Sequence, residues 1–157
     1  MHNNEIEKLQ DIAKSLQRIN SKIRLLTLLR QAKVEYDENH YENCEETCKK
    51  ILETNPQNPV ALRGLGCIAQ AKGDMVSALK YYKKALKTSA NKEIEHTLIG
   101  TIFYLENKFE QAIKYFNQAI DINDDYDSAY EGRNQSILEK HLQIIDLQDN
   151  LIKCEIF

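Results

Sequence analysis

The sequence predicts an all-α fold in which helix-turn-helix units stack into a solenoid. Three blocks of 34 residues follow one another without insertion, at residues 25–58, 59–92 and 93–126. The eighth and twentieth residues of the blocks are small: Ala32, Gly66 and Gly100, and Cys44, Ala78 and Ala112. A unit of this length cannot bury its own apolar face, so about three copies must stack for stability. Such a stack presents a surface to another molecule.

The composition agrees with a helical chain and argues against two classes of partner. Charged residues make up 29% of the 157 residues, and only two are proline and five glycine, which favours helix. The net charge of -3 and the pI near 5.8 argue against general nucleic-acid binding, which needs a local excess of Lys and Arg. The apolar runs are shorter than the roughly 20 residues of a membrane span. We expect no nucleic-acid partner and no membrane insertion.

The first residues and the cysteines indicate a cytoplasmic protein with reduced thiols. Glu5 and Glu7 stand where a secretory signal peptide needs a positive start and an apolar stretch. Cys44 and Cys48 fall at packing positions of the first unit, so we expect buried thiols rather than bridges. With His40 they are spaced by four and would supply three zinc ligands. No fourth ligand is evident, so we predict no metal site.

Residues 1–24 are predicted to be an N-terminal helical extension. Apolar residues alternate at spacings of three and four, as in a coiled coil: Leu9, Ile12, Leu16, Ile19, Ile23 and Leu26. These six residues span fewer than three heptads, and an isolated helix of that length is marginal in water. The apolar stripe that they form therefore needs a partner: a second copy in a dimer, the groove of its own or a neighbouring chain, or the flank of the first unit.

The sequence leaves open where the extension ends. No Pro or Gly precedes Pro56, so the helix can run without interruption into Leu29. Alternatively, Asn20 and Ser21 can cap a fresh start.

Each of the three units is predicted to contain two helices joined by a turn. In the second unit, apolar residues recur at helical spacing over residues 62–69, stop at Gly73 and resume at Met75. The third unit has the same pattern, with a polar turn at residues 106–108.

Residues 127–157 are predicted to form one C-terminal capping helix. They begin like a fourth unit, but Arg133 and Asn134 stand where Leu and Gly would be, and no turn follows. A repeat array needs such a cap over its last apolar face. The apolar stripe, which includes Ile144 and Leu151, is wider than a cap requires, and such an excess often marks an interface. We therefore predict a homodimer built from one or both terminal helices.

The positions of small and aromatic residues resemble the tetratricopeptide repeat, which has small residues at unit positions 8, 20 and 27 and aromatic residues at 11, 17 and 24. The resemblance covers Leu25 to Tyr126. It implies a right-handed superhelix of three units with flanking helices. The first unit departs from the pattern because Gln31 and Glu35 replace the usual Leu and Tyr, and only this unit keeps a proline, Pro56, near its end.

The resemblance implies that the first helix of each unit lines a concave groove. The residues expected to contact a ligand are Leu29, Lys33, Arg63, Cys67, Leu98, Thr101, Tyr104 and Leu105. Lys33 and Arg63 would orient the ligand by meeting its acidic groups, and the others would bury apolar surface. An amphipathic helix or extended apolar segment of a protein suits such a groove, which implies an adaptor, co-chaperone or assembly factor.

Some members of the family hold a C-terminal carboxylate peptide with Lys and Asn at set groove positions. The matching residues here are Leu29, Lys33, Gly64, Ile94 and Leu98. Only Lys33 suits that role, so we do not expect this binding mode.

The alternative function is structural homo-oligomerisation, with assembly through the terminal helices and a groove occupied by the chain itself. An enzyme is not expected, because the sequence has neither a glycine-rich phosphate loop nor a nucleophile motif. His96 falls at a packing position, where we expect a hydrogen-bonded wall residue rather than a catalyst. No cofactor is predicted.

Overall fold

The computed structural model describes the backbone of residues 2–155 and the side chains of residues 5–148 and 150. Within that range the chain forms seven helices and no strand. The helices are α1 (His2–Asp37), α2 (Tyr41–Thr54), α3 (Pro59–Ala71), α4 (Met75–Leu86), α5 (Lys92–Leu105), α6 (Phe109–Ile122) and α7 (Asp127–Glu155). Each helix packs against the next, and α1 also contacts α3 while α5 contacts α7. The all-α repeat solenoid is confirmed.

The turn inside each unit depends on one residue with a left-handed backbone. Asn39, Gly73 and Asn107 have φ values of 59°, 81° and 57°. They are separated by 34 residues, so they occupy the same position in the three units. Gly adopts this conformation without steric cost and Asn tolerates it well. The three units therefore reverse direction by the same local geometry, although only one of them uses glycine.

In the second and third units, the core between the two helices pairs a glycine with an aromatic ring. A Cβ atom on Gly66 would lie 2.3 Å from Cε1 of Tyr82, and one on Gly100 would lie 2.9 Å from Cε1 of Phe116. Both rings are fully or almost fully buried. The glycines are thus needed because the rings occupy the space that a side chain would fill.

The extension and the first helix of the first unit are one helix, α1. The boundary predicted between residues 24 and 25 falls inside it. The alternative of a fresh start at Asn20 and Ser21 is wrong, because the Ser21 hydroxyl donates to the Gln17 carbonyl oxygen at 2.9 Å within the helix. Such a bond one turn back is compatible with an uninterrupted helix.

The C-terminal residues form a single helix, α7, and the first turns of this helix pack on the third unit. Ala129 and Ser136 are fully buried there, and a Cβ atom on Gly132 would lie 2.4 Å from Cζ of Phe116. Arg133 does not enter the core; its guanidinium lies 4.9 Å from the Tyr130 ring centre. The first turns of α7 thus take the place that the first helix of a fourth unit would have.

Candidate functional site

A cavity of about 260 Å³ lies between the first and second units. Leu29 and Lys33 reach it from α1, and Arg63 and Cys67 reach it from α3. The remaining lining is mainly apolar and comes from Ala32, Tyr36, Asp37, Cys44, Cys48, Ile51, Val60, Ala61 and Gly64. The structure therefore brings together four of the eight residues predicted to contact a ligand.

The other four predicted residues lie on α5, away from this cavity. Leu98 and Tyr104 are half-buried and pack against the core of the second and third units, while the Thr101 hydroxyl donates to the Thr97 carbonyl oxygen at 3.0 Å. Leu105 is 48% exposed. Leu98 and Tyr104 thus contribute to packing, and a ligand role for the four remains a prediction.

Both cations predicted to orient the ligand already have partners within the chain. Lys33 Nζ lies 2.8 Å from Asp37 Oδ2, and both side chains are exposed. Arg63 Nη1 lies 3.0 Å from Glu95 Oε1, and the Glu95 side chain is fully buried. Arg63 thereby joins α3 to α5 across two units.

Sequence reasoning missed Glu95 as a partner of Arg63. Burial raises the pKa of the Glu95 carboxyl, and the Arg63 charge opposes that rise. The signal available in the sequence was the charge of Glu95 itself, which stands next to the predicted packing residue His96 in the largely apolar helix α5.

The sequence predicts that His96 packs against its neighbours and that its ring is hydrogen-bonded, but the structure does not show that hydrogen bond at Nδ1. Its Nδ1 atom is buried and has no hydrogen-bond partner among the described residues. The ring lies beside Tyr115, with 5.9 Å between ring centres. Burial and the nearby Lys92 charge lower the pKa of His96.

We expect His96→Phe to reduce the loss of stability in acid. Because the folded pKa of His96 lies below the ordinary value of 6.5, the neutral ring is favoured by folding, and its contribution is lost as pH falls below about 6.5. Urea unfolding at pH 7 and pH 5 should show a smaller difference for the variant than for the wild-type chain. Equal differences would contradict an imidazole whose neutral form is favoured by folding.

The thiols behave as buried packing groups. Cys44 and Cys48 are almost fully buried, and Cys44 Sγ donates to the Ala32 carbonyl oxygen at 3.2 Å. Burial raises the pKa of Cys48 to about 12 and also raises that of Cys67. His40 is exposed beside Glu38, so it does not join the two buried thiols. The expectation of free, buried thiols at Cys44 and Cys48 is confirmed.

Two further features of the described residues concern metals and membranes. No group of three or more His, Cys, Asp or Glu among them is arranged to hold a metal ion. None of the helices in the described part of the chain has the length and apolar character needed to cross a bilayer.

Comparison with known proteins places two units in one family. Residues 61–94 and 94–126 each match a sequence profile of the tetratricopeptide repeat. An O-GlcNAc transferase mutant of Thermobaculum terrenum superposes with a TM-score of 0.67 at 21% identity, over 72% of this chain and 22% of that protein. The chain therefore spans about a fifth of the length of that enzyme.

Two TPR domains have the same fold. The TPR domain of Sgt2 from Aspergillus fumigatus gives a TM-score of 0.68 at 13% identity, over 75% of this chain and 80% of that one. The first TPR of Spaghetti, bound to the HSP90 peptide SRMEEVD, gives 0.68 at 14% identity, over 74% and 93%. The chain therefore contains two tetratricopeptide repeats, at residues 61–94 and 94–126, within a solenoid of the same fold as those domains.

Proposed function

We propose that the chain binds an apolar segment of a partner protein, with one bulky side chain of that segment seated in the cavity between the first two units. The observation that supports this most is the cavity itself, about 260 Å³ in volume and lined mainly by apolar atoms. Pockets for whole small-molecule ligands are usually larger, at about 300–1,000 Å³. A pocket of this size suits a single anchoring side chain of a longer segment.

The charged residues around the cavity would have different roles. Lys33 pairs with Asp37 in solvent, and such pairs contribute little free energy, so a ligand carboxylate can replace Asp37 as its partner. Arg63 is held by the buried Glu95, so we assign it to the spacing of the second and third units. Leu29 and Cys67 would contact the anchoring side chain, and Leu105 would extend the apolar contact along α5.

An adaptor or assembly role fits this site better than binding of an acidic chaperone tail. The Spaghetti domain shares the fold and is bound to an HSP90 peptide, but the fold does not transfer the ligand. In this chain Arg63 is held by the buried Glu95, which leaves Lys33 as the cation of the cavity lining that a ligand carboxylate can reach. The mainly apolar lining therefore favours a ligand recognised by shape and apolar contact, without catalysis.

Selection from a display library of random peptides tests this proposal. The selected peptides should share a bulky apolar residue, and Val60→Glu should weaken their binding by about tenfold or more. Val60 lies at the cavity and is 42% exposed. A carboxylate in the first turn of α3 is favourable for the helix but disrupts apolar contact at the cavity.

A matched control is available on the outer face. Val76 is also the second residue of its helix, and it is 77% exposed. Val76→Glu should leave the affinity unchanged within about twofold. Equal loss of binding in both variants would contradict the proposed site. So would a selection in which no peptide is enriched above the background without the protein.

A second function, self-association through the terminal helices, is supported by their exposed apolar residues. The apolar stripe of α1, here called the α1 seam, is exposed along its whole length and consists of Leu9, Ile12, Leu16, Ile19, Ile23 and Leu26. On α7 the exposed residues include Leu138, Leu142, Ile144, Ile145 and Leu147, whereas the side chain of Leu151 lies outside the described residues. The homodimer predicted from the sequence is the simplest product. Sedimentation equilibrium showing only the 18.2 kDa chain at high micromolar concentration would contradict it.

A further inference from the structure

The α1 seam is exposed to solvent in the part of the chain that the structure describes. Its six residues are between 52% and 66% exposed, and every described side chain of α1 from Glu5 to Arg24 is exposed. The N-terminal part of α1 therefore does not fill the groove of its own chain in this structure.

The side of α1 that packs on the repeats lies opposite the seam. Leu25, Leu28, Leu29 and Ala32 form the packed side, against the core of the first unit. At 100° per residue, that side is rotated by about 160° from the seam. A second helix can therefore lie along the seam without displacing any contact of the first unit.

The spacing along the seam is the same in both directions. From Leu9 to Leu26 it runs three, four, three, four, three. In an antiparallel pair of α1 helices, Leu9 faces Leu26, Ile12 faces Ile23 and Leu16 faces Ile19. All six seam residues then meet an apolar partner, and two-fold symmetry repeats each contact.

The charges beyond the two ends of the seam select this orientation. Glu5 lies four residues before Leu9, and Arg30 lies four residues after Leu26; both are exposed. In the antiparallel register, Glu5 of each copy faces Arg30 of the other. A parallel pair would instead place Arg30 against Arg30 and Glu5 against Glu5, and like charges in such positions are unfavourable.

The charge of the whole helix points the same way. Residues 1–11 contain three acidic residues and one basic residue, whereas residues 12–37 contain six basic residues and two acidic ones. An antiparallel pair brings the acidic end of one helix to the basic end of the other.

We propose that two copies of the chain associate through an antiparallel coiled coil of their α1 helices, with Glu5 of one copy paired with Arg30 of the other. This inference rests on the self-association proposed above and specifies its interface. The narrow stripe, with residues at alternating spacings of three and four, is typical of helix pairing, whereas a lipid surface is met by a broader apolar face. In such a dimer the repeats lie on the side of each α1 helix away from the other copy, so the cavity of each copy remains open. A partner with two apolar segments would therefore bind with avidity.

Charge reversal in the full chain tests the orientation at low salt, where exposed charges are least screened. Sedimentation equilibrium should give a dimer of about 36 kDa, twice the 18.2 kDa of the chain. Glu5→Arg and Arg30→Glu should each weaken the dimer roughly tenfold, because two ion pairs become two repulsions. The double variant should recover wild-type affinity. In a parallel pair each single change exchanges one like-charge contact for another, so unchanged affinity of both single variants would overturn the proposal.

A second pair of variants tests the helix itself. Ile19→Glu should abolish the dimer, whereas Lys14→Glu, on the opposite side of the same helix, should not. Circular dichroism of each variant shows whether the repeats are folded. A dimer that survives Ile19→Glu would overturn this interface while leaving self-association through α7 in place. A wild-type chain that is monomeric up to high micromolar concentration would overturn both.

Discussion

Arg63→Met is expected to lower the free energy of unfolding by about 3 kcal/mol at pH 8. The substitution leaves the fully buried Glu95 carboxylate without the guanidinium that lies 3.0 Å away. Removing one partner of a buried ion pair typically costs about 3–5 kcal/mol, because an uncompensated charge stays in the interior. We expect the lower end of that range, since the Arg63 side chain is 25% exposed and water partly reaches the site.

The loss should depend on pH in a direction set by the raised pKa of Glu95. A carboxyl whose folded pKa lies above its ordinary value of 4.5 contributes most to stability at low pH, and that contribution is lost as pH rises through the folded value. Removing Arg63 raises the folded pKa further, so the variant should recover part of its stability as pH falls from 8 to 5 and protonation of Glu95 becomes easier.

Urea unfolding followed by circular dichroism at pH 5 and pH 8 measures this effect. The double variant Arg63→Met, Glu95→Met should recover most of the loss at pH 8, since replacing a whole buried pair with apolar groups is often neutral. An equal loss at both pH values, or a double variant no more stable than the single one, would show that the pair is not a buried charge interaction.

Gly66→Leu is expected to lower the free energy of unfolding by about 3 kcal/mol or more. Even a Cβ atom would lie 2.3 Å from the Tyr82 ring, and that ring is fully buried. The Tyr82 hydroxyl also donates to Gln70 Oε1 at 2.8 Å, which holds the ring in place. For a chain of this size, such a loss lowers the melting temperature by roughly 6–12 °C.

Two alanine variants and one double variant provide the controls. Gly66→Ala should cost more than Gly64→Ala, because the Cβ atom at position 64 would meet only the Cys48 sulfur, at 2.9 Å. Replacing the ring by a smaller side chain with Tyr82→Leu should reduce the free energy of unfolding that Gly66→Leu takes away in the double variant. Additive losses would mean that Gly66 and Tyr82 are not in contact.

Much of the fold is predictable because it repeats. The same kinds of residue return 34 residues after Gly66, Ala78 and Tyr82. One repeating pattern therefore predicts the helices, the turns between them and the packing of small residues against large ones. The turn residues Asn39 and Asn107 were less obvious, because asparagine at these positions looks like any polar loop residue. Their left-handed backbone becomes apparent only when they are aligned with Gly73.

The charged contacts were not predictable in the same way. Arg63 and Glu95 are 32 residues apart and meet between two units, whereas the repeat pattern describes contacts of equivalent residues. The sequence therefore offered Arg63 as free for a ligand. Gly132 was missed for a related reason: it packs on Phe116 from the capping helix, where the repeat pattern has already ended.

The accessibility of Cys67 with and without a selected peptide tests most directly whether the cavity is the binding site. Cys67 lines the cavity and is half-buried, whereas Cys44 and Cys48 are almost fully buried. Alkylation followed by mass spectrometry of the proteolytic peptides should show Cys67 reacting faster than those two thiols, and a bound peptide should slow that reaction in proportion to its occupancy. A peptide that binds at saturation and leaves the Cys67 rate unchanged would place the binding site elsewhere on the protein.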